Sequence, residues 1–166
     1  KAIVDAQAVG EAARRAVKRA GARSRECAVA VSGDAAITKV IQMPRNLRAN
    51  ELESQVEMQA DQYIPFPMEE VSYDFEVIGP SEKDPEMLDV LLVATRSENV
   101  EQRQAAVQAA GLTARIVDVE AFALENACRL LTHQMPDGGM ERSIAVVDFG
   151  ASSTTFSVLR DTQVAY

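Results

Sequence analysis

The segment 146–159, VVDFGASSTTFSVL, joins two apolar strand patterns through a turn that is rich in polar chemistry. The turn residues are Asp148, Gly150, Ser152, Ser153 and Thr154. A glycine lets the backbone approach a ligand closely, and hydroxyls and turn amides can donate hydrogen bonds to phosphate oxygens. The Asp148 carboxylate is a ligand type that Mg²⁺ prefers, directly or through water. The pattern predicts a phosphate-binding hairpin, although an ordinary hairpin with Asx-turn hydrogen bonds explains the same residues.

A second candidate site is the stretch YIPFP at 63–67, where two prolines must end the helix that precedes them. Its aromatic and aliphatic side chains lie on a rigid, non-helical corner. Such a corner can close the core where a helix meets a sheet. It can equally form one wall of a groove that accepts a partner peptide through apolar pockets and backbone hydrogen bonds.

Composition excludes several classes of protein. The 166 residues carry a formal net charge of -8, and a nucleic-acid-binding protein would normally show a basic excess. No apolar run reaches the roughly 18–20 residues that a membrane span needs. Two cysteines and one histidine are too few for a disulfide framework, a zinc site or a histidine-rich metal centre. We therefore expect a cytoplasmic protein, and the first and last residues suggest a piece of a longer chain.

Helical and strand periodicities alternate along the chain, which predicts an α/β (α+β) fold. Gly33 and Asp34 separate two β-rich runs and predict a tight hairpin. Residues 49–118 read as helix, strand, strand, helix, strand, and we expect them to form a self-contained module. The pieces 1–48 and 119–166 then belong to a flanking α/β architecture.

Several segments resemble the PilM family of type IV pilus proteins, which is FtsA-like and belongs to the actin-like ATPase superfamily. They are, in family order, AVAVSGDAAITKVIQMP, MQADQYIPFP, DVLLVATRSENVEQRQ and VVDFGASSTTFSVL. The resemblance implies that 1–48 is part of subdomain 1A and that 49–118 is the inserted subdomain 1C. It implies that 119–166 holds the inter-lobe helix and the start of lobe II, with the second phosphate-binding hairpin.

The same resemblance implies ATP and Mg²⁺ as cofactors of the longer parent protein. In VDVEAFALENAC (117–128), Glu120 would lie near the nucleotide and orient water, although a carboxylate that starts a helix is also favoured by the helix dipole. The first phosphate-binding hairpin and the adenosine-binding segment of the family are missing from this sequence. We therefore expect at most feeble nucleotide affinity from these residues alone.

The implied partner is the N-terminal cytoplasmic tail of PilN, with other cytoplasmic pilus components and self-association as further expectations. The surface expected to bind the tail comprises Ile41, Met43, Tyr63, Ile64, Pro65 and Phe66. We expect an assembly protein rather than an enzyme, held at the inner-membrane face through its partners. Two alternatives stay open, an FtsA-like filament or cell-division protein and a sugar-kinase-type enzyme of the same superfamily.

Overall fold

A computed structural model describes residues 3–151 and 153–164, which divide into two compact units, Lys1–Val117 and Asp118–Tyr166. The first unit contains three helices and most of the strands. In chain order its elements are α1 (Ala6–Ala20), β1 (Glu26–Val31), β2 (Ala36–Pro44), α2 (Ala49–Tyr63), β3 (Val71–Pro80), β4 (Met87–Arg96), α3 (Ser97–Ala109) and β5 (Thr113–Val119), whose last two residues enter the second unit. This mixed α/β content confirms the predicted fold class.

The main sheet of the first unit is antiparallel, with strand order β2-β4-β3. β2 pairs with β4 in unbroken register from Ala36↔Thr95 to Pro44↔Met87. β3 pairs with the other side of β4, with a register shift between Val77 and Gly79. Residues directly opposite each other share a face of the sheet, so this register fixes which side chains lie together.

Helix α2 covers one face of this sheet and forms the core with it. The core side chains, each at most 5% exposed, are Ile41, Met43, Val56, Ala60, Ile64, Val90, Leu92 and Ala94. The strand members lie at every second position, and the helix members Val56 and Ala60 are one turn apart. Alternation in the strands and helical spacing in α2 therefore produce a single apolar layer.

Helices α1 and α3 pack against each other at Gly10. A Cβ atom placed on Gly10 would lie 2.5 Å from the Ala109 Cβ and 2.6 Å from the Ala106 carbonyl oxygen. The Arg14 guanidinium also donates to the Ala109 carbonyl. Arg103 of α3 is buried, and its Nε donates to the Ala30 carbonyl of β1 at 2.6 Å. The close contact at Gly10 and the buried side chain of Arg103 thus fix α3 between α1 and β1.

The predicted hairpin at Gly33 and Asp34 is wrong. β1 pairs with β5, whereas β2 pairs with β4, so the two neighbouring strands enter different sheets. A short 3-10 turn, Gly33–Ala35, connects them. The expected self-contained module 49–118 is wrong for the same reason, because β2, N-terminal to that boundary, supplies one strand of its sheet. The assignment of subdomains to these ranges stays a prediction.

The second unit consists of one helix and a small sheet. Its elements are α4 (Glu120–Leu130), β6 (Ser143–Phe149), β7 (Thr154–Arg160) and β8 (Gln163–Val164), and the strands pair antiparallel in the order β6-β7-β8. Helix α4 lies against β8. In the described parts of the chain, no helix has the length and apolar character needed to cross a membrane.

Candidate functional site

The hairpin expected from the sequence is present as β6 and β7, and its binding of phosphate stays a prediction. The strands pair from Ser143↔Arg160 to Phe149↔Thr154, which places the loop at residues 150–153. The Gly150 N–H donates to the Ser153 carbonyl at 3.0 Å and closes the loop. A Cβ atom on Gly150 would lie 2.8 Å from that carbonyl oxygen, so the loop requires glycine here because of close approach.

The polar side chains of the hairpin face solvent. Asp148, Ser153 and Thr154 are exposed, and in the described structure their side chains form no hydrogen bond or ion pair. Ser152, the remaining predicted hydroxyl, lies outside the described residues. The Gly150 amide is already used within the loop, whereas the Ser153 and Thr154 hydroxyls are available to donate to an anion. This arrangement fits a phosphate group approaching from solvent.

Mg²⁺ would have only partial protein coordination at this hairpin. Over residues 3–151 and 153–164, no three histidine, cysteine, aspartate or glutamate side chains come together as metal ligands. Asp148 stands on the face of β6 that includes Thr155 of β7. A single carboxylate can hold Mg²⁺ when phosphate and water oxygens complete the octahedron. The residues present therefore fit a magnesium ion that arrives with a nucleotide.

Glu120 is the first residue of α4 and is exposed. It belongs to the same compact unit as the hairpin. Asp118, near the end of β5, accepts at Oδ1 from the N–H of its neighbour Val119 at 2.7 Å. The Glu120 carboxylate lies at the N-terminal, positive end of the α4 dipole. Its expected position near a nucleotide stays a prediction.

The YIPFP corner follows directly from the end of α2. The Ile64 N–H donates to the Ala60 carbonyl at 3.0 Å, which completes the last turn of the helix before Pro65. Tyr63 is 44% exposed and Phe66 is 36% exposed, and Pro65 is exposed between them. Two aromatic rings and a proline therefore form an accessible apolar surface at the C-terminal end of α2.

Arg96 and Glu70 complete this corner, and sequence reasoning missed both. The Arg96 guanidinium carbon lies 5.4 Å from the centre of the Phe66 ring, within the range of a cation–π contact. Its Nη2 lies 3.4 Å from Glu70 Oε2. Residues so distant in sequence meet because Val71 pairs with Arg96 across β3 and β4. Their spacing along the chain carries no signal of this contact.

Half of the expected partner surface is buried. Ile41 is 3%, Met43 0% and Ile64 5% exposed, because all three pack between α2 and the sheet. The expectation that they line a groove is therefore wrong for the structure described. Ile41 and Met43 of β2 pack beneath α2, and Ile64 turns inward where the helix ends. We restrict the corner surface to Tyr63, Pro65, Phe66 and Arg96.

Among the described residues two titratable groups have shifted pKa values, and neither belongs to the hairpin or the corner. A hydrogen bond with Ser32 lowers the pKa of Asp34 below its ordinary value of 3.8. Burial raises the pKa of Tyr73 above 10.0, and the carboxylates of Glu57 and Glu53 on α2 raise it further. These shifts keep Asp34 ionised and Tyr73 neutral near pH 7, so they do not indicate an acid–base centre.

Comparison with known proteins relates the whole chain to pilus assembly. A family model described as type IV pilus assembly protein PilM matches residues 1–166. A solved structure described as the PilM-PilN type IV pilus biogenesis complex is 30% identical in sequence and superposes with a TM-score of 0.77. The match covers 99% of this chain and 48% of that one, so the chain spans about half the length of the solved relative. The structural match confirms the expected actin-like fold.

Proposed function

The chain belongs to the PilM family of type IV pilus assembly proteins, and on that premise we propose that it docks a short PilN segment and contributes one hairpin to a nucleotide site. The observation that carries the first part is the likeness to the solved PilM-PilN complex over 99% of the chain. We further propose that the protein acts on the cytoplasmic side of the inner membrane, where PilN would link it to the membrane.

The corner formed by Tyr63, Pro65, Phe66 and Arg96 is the surface that we propose for PilN. Aromatic residues and arginine are the types that most often dominate binding energy at interfaces. Phe66 already contacts Arg96, which reduces the side-chain entropy that Phe66 loses on binding. The proline rings fix the backbone φ angles, so less backbone entropy is lost on binding. The corner is therefore preorganised to receive an apolar side chain of an extended peptide.

Replacing Phe66 by alanine should weaken binding of a synthetic PilN N-terminal tail peptide at least tenfold, which corresponds to about 1.4 kcal/mol. Fluorescence anisotropy with a labelled peptide measures the affinity, and circular dichroism shows that the fold is intact. Phe156→Ala is the matched control, because that phenylalanine is 53% exposed in the second unit. A folded Phe66→Ala variant with unchanged affinity would contradict the proposed surface.

The β6–β7 hairpin is the part of a nucleotide site that we propose for this chain. Its support is the solvent-facing set Asp148, Ser153 and Thr154, together with the tightly closed loop at Gly150. The hydroxyls would bind phosphate oxygens, and Asp148 would hold Mg²⁺ through water. Binding by a single hairpin lacks the concave enclosure that ligand sites normally have. Useful affinity then requires the longer parent protein.

Calorimetry with ATP and Mg²⁺ tests this proposal. In the full-length parent, Asp148→Asn should weaken ATP binding at least tenfold, because hydrogen bonds to charged groups, such as one from a Mg²⁺-bound water to this carboxylate, contribute about 1.5–3 kcal/mol each. Asp61→Asn is the control, since Asp61 is an exposed carboxylate on α2. The 166-residue chain alone should bind far more weakly than the parent. A micromolar dissociation constant for the isolated chain would refute that division of the site.

A further inference from the structure

The face of the β2-β4-β3 sheet opposite α2 carries an uncovered apolar strip with carboxylates along one side. Two cross-strand rows lie at its centre, as the register shows. They are Thr38, Val93 and Asp74 in one row and Val40, Leu91 and Glu76 in the other. We name these six residues the open face.

The central strand of the open face is only partly protected from solvent. Leu91 and Val93 are half-buried, although they occupy β4 between two paired strands. Their neighbours on the α2 side, Leu92 and Ala94, are each 1% exposed. Val40, beside Leu91, is 57% exposed. Strand β4 is thus covered by α2 on one face and accessible to solvent on the other.

Both ends of the open face are closed by side-chain hydrogen bonds. At one end the Gln42 Nε2 donates to Ser81 Oγ at 2.7 Å and lies 3.4 Å from Asp89 Oδ1. At the other, Thr95 Oγ1 donates to the Ala35 carbonyl at 2.7 Å and accepts from Asn99. The polar groups at the ends are satisfied, and the middle keeps accessible apolar surface. The accessible apolar part of the open face is therefore about two cross-strand rows long.

The charge on the open face is of one sign. Asp74 and Glu76 are exposed, and neither forms an ion pair within the described residues. Asp74 Oδ1 accepts from the Phe75 N–H at 2.8 Å, which fixes the direction of its carboxylate. The two acids stand two residues apart on β3, roughly 7 Å along the strand. An extended peptide repeats its side chains on one face at the same interval.

From this charge and spacing we propose that the open face docks an extended segment of another protein with basic residues at every second position and apolar residues beside them. Lysine or arginine at positions i and i+2 would pair with Asp74 and Glu76. Apolar side chains of the segment would cover Val40, Leu91 and Val93. This surface lies on the opposite side of the sheet from α2, so it is separate from the buried residues first expected to bind a partner.

The test uses the isotopically labelled protein and a labelled peptide of alternating lysine and valine as the probe. We expect amide chemical-shift changes concentrated at Val40, Leu91 and Glu76, with affinity that falls as salt rises. The double variant Asp74→Asn/Glu76→Gln should bind at least tenfold more weakly. Its matched control is Glu53→Gln/Glu57→Gln on α2, which changes the net charge by the same amount and should bind like the wild type.

Other results would overturn the proposal. Equal weakening by the two double variants would show that the probe responds to net charge rather than to this surface. Amide chemical-shift changes spread over the whole protein would also show that the probe does not bind at the open face. A concentration-dependent dimer whose contacts cover Val40 would show that a second copy occupies the open face instead. Thermal unfolding of each variant establishes that binding is measured on folded protein.

Discussion

Replacing Met43 by alanine should lower the free energy of unfolding by about 2–5 kcal/mol, the usual cost of removing a buried methionine side chain. Met43 is 0% exposed and is among the largest fully buried side chains of the described residues. Its neighbours on β4 are held by the sheet register, so they cannot collapse fully into the space left behind. Chemical denaturation followed by circular dichroism measures the loss.

Met58→Ala provides the matched control, because Met58 on α2 is 64% exposed. Its effect on unfolding should stay within about 0.5 kcal/mol. Measuring both stability and PilN-peptide affinity of Met43→Ala separates a packing role of Met43 from a role in partner binding. A Met43→Ala protein that kept its stability but lost the PilN peptide would show that Met43 contacts the partner. It would contradict the core position described above.

Replacing Gly10 by alanine should destabilise the protein by about 1–3 kcal/mol, the usual cost of overpacking. The general rule predicts the opposite sign, since alanine is favoured over glycine inside a helix by about 1 kcal/mol. Steric overlap decides, because the new Cβ would lie 2.6 Å from the Ala106 carbonyl oxygen, a backbone atom. Helices α1 and α3 would have to separate. Thermal and chemical unfolding give the sign directly.

Gly33→Ala is the control, since a Cβ atom there meets nothing within 4 Å. The double variant Gly10→Ala/Ala109→Gly should recover part of the lost stability, because it removes the methyl that the new Cβ meets at 2.5 Å. A Gly10→Ala protein more stable than the wild type would show that α1 and α3 do not approach this closely in solution.

Local signals in the sequence determined most element boundaries and the order of elements. Asp5 and Gly21 delimit α1, where Asp5 Oδ1 accepts from the Ala8 N–H and Gly21 adopts a φ of 65°. The two prolines after Tyr63 end α2, and the turn at Gly150 joins β6 to β7. These features depend on neighbours within a few residues, so capping and turn chemistry suffice to predict them.

Strand pairing and the accessible surfaces were decided only by the tertiary structure. β1 and β2 are neighbours in sequence, yet each pairs with a distant strand, β5 and β4 respectively. Alternation in β2 marks two faces but does not say which one α2 covers, so it did not predict that Ile41 and Met43 are buried beneath α2. Arg96 reaches Phe66 only because β3 and β4 are antiparallel. Contacts between residues far apart in sequence depend on register, and register is set by the whole packed sheet.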